Sequence, residues 1–236
     1  MVSRNIRYNC QKSWKIEPAS LCDRKEILNF VEKNFLKDEP LAKALIPGEN
    51  PPVFKKIVRE SFDQGLSVVA KRTCGDFEII GACINSRSFI MTATRYLKWA
   101  QGVDDQHLKK LLQTMAMVES DSNVNEKLNQ DEIFLLSVLI VSDKQWGKGI
   151  GLEMVRKSLE LAREKQFKFA KMNCMNENTL NIAEQLQMKR LWCLPYKSLL
   201  CRGKIRPCAF PEAPHLSAYV YYIDVTKNWN LTEKCE

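Results

Sequence analysis

Apolar residues along this chain follow two rhythms, and their order sketches a fold. "WKIEPAS", from Trp14, reads as a first short strand. In "CDRKEILNFVEKNFLKDEPLAKAL", Ile27, Phe30, Val31 and Phe35 keep near-helical spacing until Pro40 ends or kinks the pattern. "GLSVVAKRTCGDFEIIGACINSR" holds two apolar runs around Cys74-Gly75-Asp76, which predicts a hairpin. Leu108, Leu111, Leu112, Met115 and Val118 then share one helical face. "DEIFLLSVLIV" is almost continuously apolar, as expected of a central strand buried on both faces. Leu152, Val155, Leu159 and Ala162 restore a helical stripe. "KFAKMNCM" reads as a strand and "TLNIAEQLQM" as a short helix. "RLWCLPYKSL" and "AYVYYIDV" close the pattern as two strands around a loop carrying Pro207, Pro211 and Pro214.

The predicted order is β-α-β-β-α-β-α-β-α-β-β. Antiparallel hairpins at both ends flank a central β-α-β-α unit, so the expected class is α/β with a mixed sheet. No repeat, low-complexity tract or flexible linker divides the chain, and a single domain over 1–236 is expected.

Composition changes this picture little. The chain has 236 residues, 45% hydrophobic and 27% charged, which is ordinary for a globular protein. No apolar stretch approaches the ~18–20 residues of a membrane span. The first residues lack the apolar core of a secretory signal, so a cytoplasmic protein without a membrane partner is expected. Nine scattered cysteines without a CxxC pair, and only His107 and His215, argue against a disulfide framework and against a metal site. The net charge of +8 raises the question of nucleic acid. Its Lys and Arg residues are spread along the whole chain, and no helix-turn-helix, RNA-recognition or finger pattern accompanies them. No nucleic-acid partner is expected; a basic balance equally suits a polyanionic small ligand.

The chemistry concentrates at "VSDKQWGKGIG", between the apolar strand and the stripe of Leu152. A glycine-rich strand-to-helix turn offers backbone amides to an anion. The nucleoside-triphosphate loop GxxxxGK[ST] fails, because position 142 is Ser142 and Gly149 follows Lys148. The dinucleotide fingerprint GxGxxG fails at Leu152. The third template, [RQ]xxGx[GA], fits the frame Trp146-Gly147-Lys148-Gly149-Ile150-Gly151, with Trp146 where Arg or Gln is usual and Gln145 one position early.

That turn is the pyrophosphate-binding signature of the GCN5-related N-acetyltransferases, and the chain resembles this superfamily over most of its length. The resemblance implies a mixed, mostly antiparallel sheet of about seven strands flanked by helices, with acetyl-CoA as cofactor. Gln145, Trp146, Gly147, Lys148, Gly149, Ile150 and Gly151 would cradle the pyrophosphate. The backbone of Leu139, Ile140 and Val141 would hold the pantetheine arm and the thioester oxygen, and Asn176 matches a common cofactor-contacting asparagine. Asn176 reads equally as a helix N-cap.

Two further segments narrow the resemblance. "FLKDEPLAKAL" and "FPEAPHLSAYVY" look like the DEPL and APH stretches of insect arylalkylamine N-acetyltransferase-like proteins. The match implies Glu39 as general base with Pro40 near the amine; His215 reads equally as lining the amine pocket or as hydrogen-bonding its loop. Of two hydroxyl positions associated with proton handling, one is Met175 and the other Thr179, which keeps its hydroxyl; the tyrosine that often protonates the leaving thiolate falls at Ala183. The remaining amine-pocket residues are expected from the first-helix region and from loops around 85–105 and 195–215. The expected activity is direct transfer of acetyl from acetyl-CoA to a small primary amine by a monomer, with Glu39 and Thr179 catalytic. The alternatives are acetylation of polyamines or other non-aromatic amines, and a catalytically weak acyl-CoA-binding protein.

Overall fold

The computed structural model describes residues 13–45, 52–73, 78–199 and 211–227. The predicted turn at Cys74-Gly75-Asp76 and the loop position Pro207 lie outside them. Seven strands are present: β1 (Trp14–Pro18), β2 (Val68–Arg72), β3 (Ile79–Phe89), β4 (Glu132–Val141), β5 (Phe169–Cys174), β6 (Lys189–Pro195) and β7 (Ser217–Asp224). They form one sheet in the order β1-β2-β3-β4-β5-β7-β6. Only β4 and β5 run parallel; every other neighbouring pair is antiparallel. The mixed sheet expected from the hydrophobic pattern is therefore present, and it is mostly antiparallel with seven strands, as the resemblance implies.

Helices cover both faces. They are α1 (Arg24–Asp38), α2 (Pro40–Leu45), α3 (Pro52–Phe62), α4 (Thr92–Gln101), α5 (Gln106–Ser122), α6 (Val124–Lys127), α7 (Ile150–Glu164) and α8 (Glu177–Gln185). The pattern does not predict α3, α4 or α6. The stretch 85–105, expected to be loop, is the end of β3 followed by α4.

On one face, the α7 stripe of Val155, Leu159 and Ala162 is fully buried against Phe134, Ala170 and their neighbours. Burying a side chain such as Leu159 contributes about 1.5–3 kcal/mol. On the other face, Ile27 and Val31 of α1 pack with Val58 and Phe62 of α3 over Ile84 and Ile140. A third cluster joins Leu41, Tyr96, Leu108 and Leu112 to Val220 of β7. No helix among the described residues is long and apolar enough to cross a membrane.

The feature that positions the site lies in the middle of the sheet. Ile84 pairs with Val138 but Asn85 pairs with Leu136, so Ser137 is an extra, bulged residue in β4. On its other side β4 pairs with β5 only over Phe134–Leu136. Past the bulge the two strands part.

Candidate active site

Two cavities meet at this parting. The first is a groove lined by Leu139, Ile140, Val141, Gln145, Trp146, Gly147, Gly149, Ile150, Gly151, Asn176 and Thr179, with Asn178 and Ile182. It thus gathers every residue expected to hold the cofactor except Lys148, whose Nζ donates to Gln145 Oε1 at 2.8 Å. Gly147 and Gly149 have φ of 75° and 77°, a left-handed backbone natural to glycine. Gly149 is the N-cap of α7 and brings no side chain to its first-turn amides, which leaves the positive end of the helix facing the groove.

The strand backbone divides by alternation. Ser142 N donates to Ile80 O, and Ile140 lies opposite Ala82, so the main chain of Ile140 belongs to the ladder with β3. That directs the peptide groups of Leu139 and Val141 toward the gap. One of them is already engaged: Trp146 Nε1 donates to Val141 O at 2.9 Å while the indole stays 58% exposed. Of the three strand residues expected to act through their backbone, Ile140 contributes its side chain instead.

The second cavity opens from the same gap and is mainly apolar. Phe35, Phe54, Tyr96, Trp99, Leu111 and Met115 form much of its wall, and Glu39 supplies a carboxylate. Leu139, Ile140, Asn176 and Thr179 line both cavities. They form the boundary between them.

Glu39 sits at the junction of α1 and α2 with extended backbone (φ −96°, ψ 105°). Pro40 follows as the first residue of α2, where its missing N–H costs nothing and its fixed φ suits the helix. Glu39 Oε1 accepts from Leu41 N at 3.2 Å, and Oε2 accepts from Asn176 Nδ2 at 2.7 Å. Burial pushes its carboxyl up to about 7, against the opposing pull of the bonds from Asn176 and Leu41.

Asn176 is the helix N-cap that its position allows, and it also lines the groove. Its Oδ1 caps α8 by accepting from Thr179 N at 2.9 Å, while Nδ2 reaches Glu39. Thr179 Oγ1 donates to Asn176 O at 2.9 Å. Met175 lines the second cavity, and its carbonyl accepts from the buried Tyr196 hydroxyl at 2.6 Å. Ala183 is buried in the α7-side core.

Two expected substrate residues fall elsewhere. Pro40 shapes α2 but does not line the cavity, and His215 Nδ1 accepts from Glu177 N at 3.1 Å, so it secures the start of α8. Phe54, Tyr96, Trp99 and Asn173 line the cavity and are not singled out by sequence reasoning. Trp99 and Tyr96 lie in the stretch expected to border the amine; the helical spacing of Tyr96 and Ala100 was their available signal. No group of three or more His, Cys, Asp or Glu among the described residues is placed to hold a metal ion.

No family model matches the sequence, and no curated protein sequence matches it. Solved structures do. Mosquito arylalkylamine N-acetyltransferase-like 5b superposes with a TM-score of 0.82 at 15% identity, covering 90% of this chain and 100% of that one. Arylalkylamine N-acetyltransferase 2 from Aedes aegypti gives 0.81 at 20% identity, over 90% and 99% of the two chains. The Drosophila melanogaster polyamine N-acetyltransferase that forms N-acetylagmatine gives 0.79 at 15% identity, over 89% and 99%. Identities this low speak for architecture alone. In its architecture, the chain has the GCN5-related N-acetyltransferase fold.

Proposed function

We propose that the protein is an acetyl-CoA-dependent N-acetyltransferase that acetylates small primary amines by direct transfer, with Glu39 as general base. The observation that supports this is the shared wall of the two cavities. A groove built on a helix N-terminus suits a pyrophosphate, and it meets an apolar pocket holding a carboxylate at Leu139, Ile140, Asn176 and Thr179. The aromatic side chains of that pocket favour an arylalkylamine among the acceptors in the names of the structural neighbours.

Bound acetyl-CoA supplies an activated acetyl thioester. An alkylamine with a pKa near ~10.4 is overwhelmingly protonated at neutral pH, so a proton must leave before nitrogen can attack. Glu39 attracts the ammonium form, and its raised pKa makes it a far better proton acceptor than an exposed glutamate. The Leu139 and Val141 peptide groups face the gap, where an N–H can hold the charge that develops on the acetyl oxygen. Thr179 Oγ1, at the boundary, is the hydroxyl assigned to the departing sulfur.

A second reading is a weakly active acyl-CoA-binding protein. Met175 at the first hydroxyl position favours it, since a thioether transfers no proton. Mass-spectrometric detection of acetylated products from arylalkylamines, diamines, agmatine and a basic peptide separates the two. Product from one amine class, lost in Glu39→Gln, supports the enzyme; saturable acetyl-CoA binding without product supports the binding protein.

A further inference from the structure

β4 leaves its partner before it ends. Its pairing with β5 stops at Leu136, so the carbonyl of Val141 faces the gap where a neighbouring strand would have supplied an N–H. A side chain just beyond the strand supplies one instead: Trp146 Nε1 donates to Val141 O at 2.9 Å. The local fold brings the indole there. A short 3₁₀ turn over Asp143–Gln145 folds the chain back, and Trp146 N closes it by donating to Asp143 O at 3.2 Å. Gly147, with its φ of 75°, then turns the backbone toward α7.

The contact is suited to exchange. An indole N–H can only donate, so the bond to a carbonyl can be taken over by any other donor that reaches the same oxygen. The ring lines the groove and stays mostly exposed, so swinging it away gives up little apolar burial.

We propose that Trp146 is a specificity-determining latch of the groove, its indole N–H holding Val141 O until an amide N–H on the arm of a ligand replaces it there. This rests on the cofactor role proposed above for the groove. A ligand with phosphates alone meets the glycine turn and leaves the latch closed. One with an amide-bearing arm opens it by exchanging one N–H···O bond for another. An arm that pushes the indole aside without offering a donor strands the carbonyl, and the groove discriminates against it.

The test is titration calorimetry on wild type and Trp146→Phe, which keeps an aromatic ring and removes the N–H. The probes are coenzyme A and adenosine 3′-phosphate 5′-diphosphate, which keeps the pyrophosphate and lacks the arm. Coenzyme A is expected to bind the variant about three- to tenfold more tightly, because no bond has to be given up; the nucleotide should bind both proteins equally. Equal affinity for coenzyme A would mean that the carbonyl serves both donors, and weaker binding by the variant that the indole is itself a ligand contact; either overturns the proposal. So does a gain shared by the nucleotide, since the effect would then bypass Val141. Fluorine NMR of wild type carrying 5-fluorotryptophan at its five tryptophans adds a second readout. The signal absent from Trp146→Phe should move with coenzyme A and stay with the nucleotide; a signal unmoved by coenzyme A overturns the latch. No binding of coenzyme A by either protein would overturn the cofactor reading and the latch with it, whereas binding that Trp146→Phe leaves unchanged overturns the latch alone.

Discussion

Asn176 Nδ2 donates to Glu39 Oε2 across 2.7 Å, tying the cap of α8 to the α1–α2 junction 137 residues earlier in the chain. One amide therefore both starts a helix and holds the Glu39 carboxylate, the proposed base, against the boundary of the two cavities. The bond favours the ionised carboxylate, while burial favours the protonated one.

Replacing the base tests the chemistry most directly. Glu39→Gln keeps the shape and can still meet Leu41 N, but it cannot take a proton. The amine turnover number is expected to fall by about 10²–10⁴-fold, with acetyl-CoA affinity, measured by calorimetry, changed little.

The pH profile of kcat/KM should rise from the acid side with a midpoint near 7, where Glu39 loses its proton. Asn176→Ala removes a hydrogen bond to the charged form, so the midpoint should move to higher pH. A profile unmoved by both Asn176→Ala and Glu39→Gln would assign that limb to another group.

Stability should vary with pH in the opposite sense to activity. Glu39 binds its proton more tightly in the folded chain than in the unfolded one, with its pKa raised from 4.5 to about 7. Its protonation therefore favours folding fully below about 4.5, and this contribution is lost as pH rises through 7. Glu39→Gln, neutral throughout, should melt higher than wild type at pH 8, with the gap closing toward pH 5 in thermal denaturation.

At the glycine turn, Gly149→Ala meets open space but must hold φ near 77°, a strain of about 1–2 kcal/mol for a residue with a Cβ. Acetyl-CoA binding is expected to weaken by up to about tenfold, and amine binding in the second cavity to be unaffected.

The buried Lys171–Glu119 pair gives an asymmetric mutational signature. Lys171→Met leaves Glu119 charged and buried, with an expected loss of about 3–5 kcal/mol in urea unfolding. Adding Glu119→Leu to it should recover much of that loss, because no unmatched charge is then left inside.

Local pattern makes some parts of this architecture legible and hides others. β4 is read from "IFLLSVLIV" because a strand covered on both faces needs apolar side chains pointing both ways. The glycine turn is read because its residues are contiguous and its backbone demands glycine at Gly147 and Gly149. α4 is not read, since it buries only Thr92, Tyr96 and Ala100 and its periodicity is thin. α3 carries a proline start and the i, i+4 series Phe54, Val58 and Phe62, a signal available but not used. The wall of the second cavity is a different matter. Phe35, Phe54, Trp99 and Asn173 come from four separate elements, and nothing in their immediate neighbours distinguishes a cavity wall from ordinary core. Glu39 stands out only through a resemblance, because its burial depends on packing from distant segments.

The parting of β4 from β5 has a consequence for association. A strand released from its partner is an exposed template, and at the rim of a sheet it invites other chains to add on. Here the released segment lies in the interior of a seven-stranded sheet, with β3 on one side and β5, β7 and β6 on the other. Folded neighbours cannot enter such a slit. What it admits is a slender, flexible molecule with amides of its own, laid lengthwise like a missing strand.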